Sequence, residues 1–569
     1  MNRNEGEEMV ELMLAPDDEY RLPAEQPSPP TTPTPGLTRA QAVRLYVSHA
    51  FSTWNARGYE FAAILFTARA YPDTLVAAAL RSLYSMIIIY LAMIILSSSI
   101  GSWVQNAPNR LRTLLTTIVV NRTSVIVGSF FWLLILSQED LVREEAVFVL
   151  PKNDSLKHAI FVVAVTFGII ERLSSSGNLI SMERDWVVTV AAPTGQPYDL
   201  THVNAVMRRI DLVCKLVSPI LISVVISAAG DSVRIGVIYS ALTSLISIPI
   251  ETVSAKGVWN SSPVLRVPKL KKEAPEAASV PAPAQAVPWT SRVRHFFKGF
   301  EMYFSTAVWV PSIALALLHF NMMTWRATFI TYLINIGYSI PTITLARAVG
   351  SVFEISSTVA TPLGIQYMGK AYRQHRSLAD EEDDLEVGLI EPEEQKQRQH
   401  AADGQTLVGL QRVGLWGVSW QVLNLAPVVA ALWAISSSRE KQETASSSLM
   451  SSNAPNLGWS LVIFSFLSFS RFGVWVFDLT TQQLTQVLVP EHQRSKFAGV
   501  ETSVVNVFEI MGAAAAISFP RTEQFKWLSL ASFVAVTISW ALYAGWVREH
   551  RGHLLHWGKL GFGSRTSRR

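Results

Sequence analysis

In a chain of 569 residues, 49% of them hydrophobic and only 16% charged, with a mean hydropathy of +0.26, charge is too scarce for a soluble globular protein, where about a quarter of residues are charged. The formal net charge of +4 is small, and no basic run is interleaved with aromatics, so no nucleic-acid partner is expected. The single cysteine, Cys214, excludes an intrachain disulfide framework and any multi-cysteine zinc or iron–sulfur site; in its apolar run it reads as a small packed hydrophobe.

Residues 1–39 are acidic, rich in proline (PSPPTTPTP) and without the apolar core of a signal peptide, which predicts a disordered tail. Apolar segments long enough to cross a bilayer then follow near 42–70, 74–99, 112–137, 158–182, 204–229 and 233–258, and again near 303–336, 340–369, 408–436, 457–487, 496–519 and 525–547. The pattern predicts an all-α, polytopic membrane protein of twelve transmembrane helices in two six-helix lobes, the outline of a major facilitator-like carrier. The first lobe spans 40–258 and a basic linker 259–299. The second lobe spans 300–548, with an acidic loop at 371–407, and a tail occupies 549–569.

Basic residues set the orientation. Lys256, Arg266, Lys269, Lys271, Lys272, Arg292, Arg294 and Lys298 crowd the linker, and Arg548, Arg551, Lys559, Arg565, Arg568 and Arg569 the tail. An even number of spans puts both on one side with the N-terminus, so both termini are expected in the cytoplasm. The loop at 138–157 then lies outside, with the sequon Asn153-Asp154-Ser155. The carboxylate block DEEDDLEVGLIEPEE at 380–394 reads as a solvated linker. His550, His553 and His556 recur at a spacing that lines one side of a helix, and read as part of a basic amphipathic tail.

The segment from Met182 to Leu221 is polar and charge-paired between two apolar runs, with Arg184, Asp185, Arg208, Arg209 and Asp211 near the ends of predicted spans. Ionisable groups at that depth are expensive and mark pathways or gates. No HxxxH, HExxH or glycine-rich phosphate loop is present, which argues against a membrane enzyme. A gated transporter is expected, with no cofactor.

Several segments are similar to the ferroportin family of iron exporters. LYVSHAFSTWNARGYEFA in the first span, IGSWV at 100–104, MERDWVVTVAA with NAVMRRID, RFGVWVFDLTTQQL at 471–484 and the Arg494–Ser503 stretch occur in the family's order and spacing. The resemblance implies an alternating-access carrier exporting Fe²⁺ or a related divalent metal, acting as a monomer in the lipid bilayer. It places Arg208 and Asp478, from opposite lobes, at the cytoplasmic gate, with Asp185, Asn204, Asp211 and Arg494 completing the network. Arg184 and Arg209 are expected to snorkel to the interface.

The family's metal ligands fall at Ala56 and Glu60 on the first span, and at Ala327 and Gly512 on the seventh and eleventh. Only one of the four keeps a donor, and the loss of nitrogen and sulfur ligands weakens preference for ferrous iron. Substitute donors are Glu60 with Glu251, and Glu509 with His319. Asn121 retains an amide, Asn321 and Glu354 are placed to line a second-lobe cavity, and Arg122 is placed to act as a tethered cation. Glu60 and Glu509 are candidates to exchange protons as counter-ions. In the GSWVQNAPNR loop at 101–110, Ser102 and Gln105 replace acidic residues that the resemblance implies, which predicts a looser inner gate or compensation elsewhere.

Overall fold

A backbone surrounded by lipid has to satisfy its own N–H and C=O groups, which restricts spanning segments of this kind to helices. The computed structural model describes residues 36–70, 75–140, 154–269, 289–380, 391–445 and 456–551. Among them the backbone is helical apart from turns and one isolated bridge between Ala192 and Asp199. The first lobe comprises α1 (Arg39–Ala70), α2 (Leu75–Asn106), α3 (Arg110–Asp140), α4 (Asp154–Leu179), α5 (Leu200–Ala228) and α6 (Val233–Ser261). The second comprises α7 (Trp289–Ser305), α8 (Trp309–Leu317), α9 (Ala327–Asn335), α10 (Ile340–Asp380), α11 (Glu391–Ala445), α12 (Leu457–Leu488), α13 (Glu491–Ser518) and α14 (Phe525–Arg551).

Ten helices among the described residues are long and apolar enough to cross a membrane, eleven if one bent pair counts as a single span. At 32 residues α1 has the length, but it is too polar to count with the ten, because its buried face carries Gln41, His49, Thr53 and Asn55. The expected seventh span at 303–336 is not one rod. Phe296–Ser305 meets Trp309–Phe320 at 107°, and the chain turns again through 321–326 before α9. The first piece alternates Arg294 and Lys298 with Phe296, Phe300 and Tyr303, an amphipathic pattern that favours lying along an interface over crossing it. Helix also extends into the expected linker, from Trp289, and into the expected acidic loop, from Glu391. Residues 1–35, 270–288, 381–390, Asn153 of the sequon, and the tail from 552 with His553 and His556 lie outside the described residues.

Apolar packing builds the lobes unequally. One continuous cluster, from Tyr303 and Phe329 through Phe477 and Phe497 to Tyr543, fills the second lobe. The first lobe has two: one near Leu45, Met182, Trp186 and Leu265, another near Phe66, Trp132, Ile226 and Val237. Asn121, Arg122, Asp211, Ser244 and Glu251 are buried side chains of the same helices that belong to neither cluster. The lobes meet along α2 against α13 and along α5 against α10 and α12.

The α2–α13 seam depends on glycine. A Cβ on Gly101 would lie 2.5 Å from the Ser495 carbonyl oxygen and 2.7 Å from Gly499 Cα, and one on Gly499 would lie 2.6 Å from the Ser97 oxygen. Small residues let helix backbones approach where lipid supplies no hydrophobic drive. Gly101→Val is expected to push the helices apart and destabilise the protein by about 1–3 kcal/mol, read as a lowered thermal midpoint of purified protein; an unchanged midpoint contradicts the seam.

Candidate gate and central charge cluster

The candidate gate begins with a local irregularity. After Leu179 the α4 backbone switches to a π-turn over Ile180–Trp186 and returns to α over Val187–Val190. A π-turn inserts one residue into the helical period and re-aims the side chains it carries. Three consecutive residues, Glu183, Arg184 and Asp185, thereby each reach a partner on another element. Glu183 accepts from Gln482 Nε2 at 2.9 Å. Arg184 Nη2 pairs with Glu501 Oε2 at 2.7 Å, and Nη1 bonds the Gln482 carbonyl and the Thr485 hydroxyl. Asp185 is held by Arg110 Nε at 2.8 Å and Lys269 Nζ at 2.7 Å. Arg110 also reaches Glu491 Oε1 at 2.8 Å, which ties the start of α3 to the start of α13. Burial lowers the affinity of the Lys269 ammonium for its proton, and Asp185 opposes that shift.

Asp199 caps α5 by accepting from the His202 N–H at 2.8 Å, and this start presents Asn204, Arg208 and Asp211 on the gate side. Arg208 Nη2 lies 2.9 Å from Asp478 Oδ2 and donates to Gln482 Oε1 at 2.8 Å. Asn204 Nδ2 donates to Gln486 Oε1 at 2.6 Å, and Gln483 Nε2 to Thr201 Oγ1 at 2.6 Å. Asp211 receives a bidentate guanidinium from Arg57 at 2.9–3.0 Å, with Arg208 Nη1 at 3.7 Å. Of the six residues expected at the gate, Arg208, Asp478 and Asn204 bond across the lobes, and Asp185 shares Arg110 with Glu491. Asp211 acts within the first lobe, and Arg494 Nε has no hydrogen-bond partner among the described residues.

Arg184 departs from its expectation. Its side chain is about nine-tenths buried rather than snorkelling, because Glu501 on the opposite lobe supplies the counter-charge. Arg209 likewise reaches across, donating to Thr358 Oγ1 at 3.0 Å. The expected turn at 100–104 is the continuing end of α2, where Gln105 donates to the Glu491 carbonyl at 3.0 Å and accepts from the Ser495 N–H at 2.9 Å. Arg110, Glu183, Gln482, Gln486 and Glu501 went unrecognised in the sequence. The only signal was the density of amides in DLTTQQLTQ, on one face of α12.

Among the described residues no group of three His, Cys, Asp or Glu side chains is arranged to hold a metal. Glu60 and Glu251 share no partner. Glu60, half exposed, sits between Arg57 at 3.4 Å and Arg172 at 3.8 Å. Glu251 is fully buried, its Oε1 bound by Arg122 Nη2 at 2.8 Å and Nε at 2.9 Å. Asn121 turns its oxygen to Arg122 Nη1 at 2.6 Å and its amide nitrogen to Glu171. Glu509 and His319 do meet, at 3.1 Å, but Arg326 grips both carboxylate oxygens of Glu509. Glu354 is paired with Arg471 at 2.7 Å and Lys215 at 3.8 Å, while Asn321 accepts from the Met323 N–H in a local turn. Ala56 is half-buried, Ala327 opens α9, and Gly512 faces Met322 and Phe320.

Two helical lobes joined at one end by ion pairs and amides that cross between them define a membrane transporter rather than an enzyme. The family model described as Ferroportin1 (FPN1) matches residues 39–371 and 404–536, and the chain belongs to the ferroportin family. It is 26% identical over 530 residues to solute carrier family 40 member 1 of Oryza sativa subsp. japonica, covering 91% of this chain and 93% of that one. To the ferroportin of Homo sapiens it is 23% identical over 566 residues, covering 91% and 93%. Its fold is shared with a bacterial homologue of iron transporter ferroportin. The TM-score is 0.64 to the outward-facing state with soaked iron, at 19% identity, covering 89% of this chain and 98% of that one. To the inward-facing state it is 0.53, at 18% identity with the same coverage.

Arg122→Met leaves the buried Glu251 carboxylate uncompensated and is expected to cost about 3–5 kcal/mol, whereas adding Glu251→Met to it recovers most of the loss. Unfolding of the purified variants distinguishes the two; equal damage in both contradicts a pairing role.

Proposed function

We propose that this chain is an alternating-access carrier that moves ferrous iron, or a related divalent metal, out of the cytosol, shown with its inner gate shut. The observation that carries the reading is the Arg208–Asp478 pair at 2.9 Å, formed between lobes and surrounded by further bonds across the same seam. For such a pair to break, the lobes must rock apart, and rigid-body rocking of two lobes is how carriers of this architecture alternate. The linker end of α6 lies at the gated end, where Gln41 Nε2 donates to the Ser261 carbonyl at 2.7 Å and Lys269 binds Asp185. The basic linker puts that end in the cytoplasm. Support for a metal substrate comes from the relatives, two of which bear the names ferroportin and iron transporter. We take the carrier to work as a monomer in the bilayer, with protons at Glu60 or Glu509 as candidate counter-ions.

A second reading, a carrier of the same fold that has lost iron specificity and moves another cation or small solute, is favoured by one observation. The candidate ligands Glu60, Glu251 and Glu509 each already face a guanidinium. A divalent cation has to displace those side chains or bind elsewhere.

Flux of Fe²⁺, Co²⁺, Mn²⁺ and Ca²⁺ in proteoliposomes, with Asp478→Ala as the gate variant, separates the readings. Saturable Fe²⁺ or Co²⁺ flux, changed about tenfold or more by Asp478→Ala because a buried pair is broken, is the expected result. Absence of flux for all four ions, from protein with a normal unfolding transition, selects the second reading.

A further inference from the structure

The amphipathic helix α7 stands apart from the spans. Its last part, Phe296–Ser305, makes an angle of 107° with Trp309–Phe320, so if α8 crosses the bilayer α7 lies nearly in its plane. One face points into the protein: Gly299 is buried between Ser98 of the first lobe and Val500 of the second, where a Cβ would lie 2.9 and 3.5 Å away. Tyr303 on the same face stacks on Phe497 with ring centroids 4.7 Å apart. The opposite face carries Arg294, Lys298 and Glu301, all exposed. Along the flank between them run Phe297 and Phe304, 65% and 48% exposed, spaced seven residues apart and so on one line of the helix.

Cations on one arc beside apolar rings on the next describe a helix seated at a headgroup boundary. On α2, which α7 touches, Leu91, Ile95 and Trp103 are exposed as well. Arg294 and Lys298, one turn apart with Glu301 offsetting one charge, then face the phosphate layer. The helix is also wired to the gate. Tyr303 Oη donates to Ser312 Oγ at 2.8 Å, Ser312 Oγ donates to Glu501 Oε1 at 2.9 Å, and Arg184 Nη2 donates to Glu501 Oε2 at 2.7 Å.

We propose that α7 is a binding surface for anionic phospholipid headgroups, and that lipid held there stabilises the shut gate through the relay from Tyr303 to Arg184. A ligand shifts a two-state equilibrium by its preference for one state. Here the preference arises because the relay and the seat of Gly299 on both lobes exist in the shut state. Two cations near an anionic surface limit the effect to about 30-fold in the shut-to-open ratio.

The test is an interlobe distance measurement, which needs no transported substrate. Spin labels at Gln196 and Lys370, exposed residues of opposite lobes at the gated end, are placed on a Cys214→Ser background. The protein is reconstituted in nanodiscs of phosphatidylcholine with rising phosphatidylglycerol. The short-distance population is expected to grow several-fold with the anionic lipid and to fall back in high salt, where headgroup contacts are screened. Arg294→Gln with Lys298→Gln removes most of the response, Tyr303→Phe uncouples it, and Arg521→Gln, at the opposite end, leaves it intact. A lipid response absent from the unsubstituted helix, or fully retained without the two cations, overturns the proposal.

Discussion

A charge inside a bilayer has to be neutralised by something in contact with it, and that single requirement organises this molecule. Glu60, Asp211, Glu251, Glu354 and Glu509 each face a cationic side chain. Where both partners belong to one lobe, as in Arg122–Glu251, the pair ties helices of that lobe together. Where they come from two lobes, as in Arg208–Asp478 and Arg184–Glu501, the pair depends on how the lobes are set. One chemical constraint therefore binds each lobe internally and binds the lobes to each other.

The seam is built from contrasting materials. On the α2–α13 side, Gly101 and Gly499 bring backbones together with no side chains between them, a contact indifferent to charge. Beside it, guanidinium–carboxylate pairs and the amides of α12 supply directional bonds that are strong when dry and cheap to replace when water enters. The broken seventh span adds a third element, a helix lying across both lobes whose rings and hydroxyl lead into the ion pairs.

Guanidinium groups near the candidate ligands change the electrostatics of the central space. A carboxylate waiting for a divalent cation is costly when empty, and a tethered arginine removes that cost at the expense of competing with the cation. Arg122, buried on Glu251, shows the limit of this arrangement, since two of its nitrogens already hold one carboxylate oxygen. Arg326 on Glu509 is half exposed and sits on a shorter, irregular stretch between α8 and α9, where a side chain is freer to move away.

Hydropathy alone determined the helical membrane class, and local motifs determined the family, because both are written in residues near one another in the chain. The likeness in NAVMRRID and RFGVWVFDLTTQQL also made the Arg208–Asp478 pair legible although 270 positions separate its members. The tertiary structure decided the rest. Whether Arg184 meets water or Glu501 depends on the π-turn at Ile180–Trp186, which shifts the helical period and leaves no trace in composition. Whether Arg122 is free or spent on Glu251 depends on the register of α3 against α6. That the chain bends between Ser305 and Trp309 rather than running on as one rod goes with the partners that Gly299 and Tyr303 find. Burial forces each intramembrane charge to have a partner, so the sequence shows that one must exist; only the packing of distant helices says which.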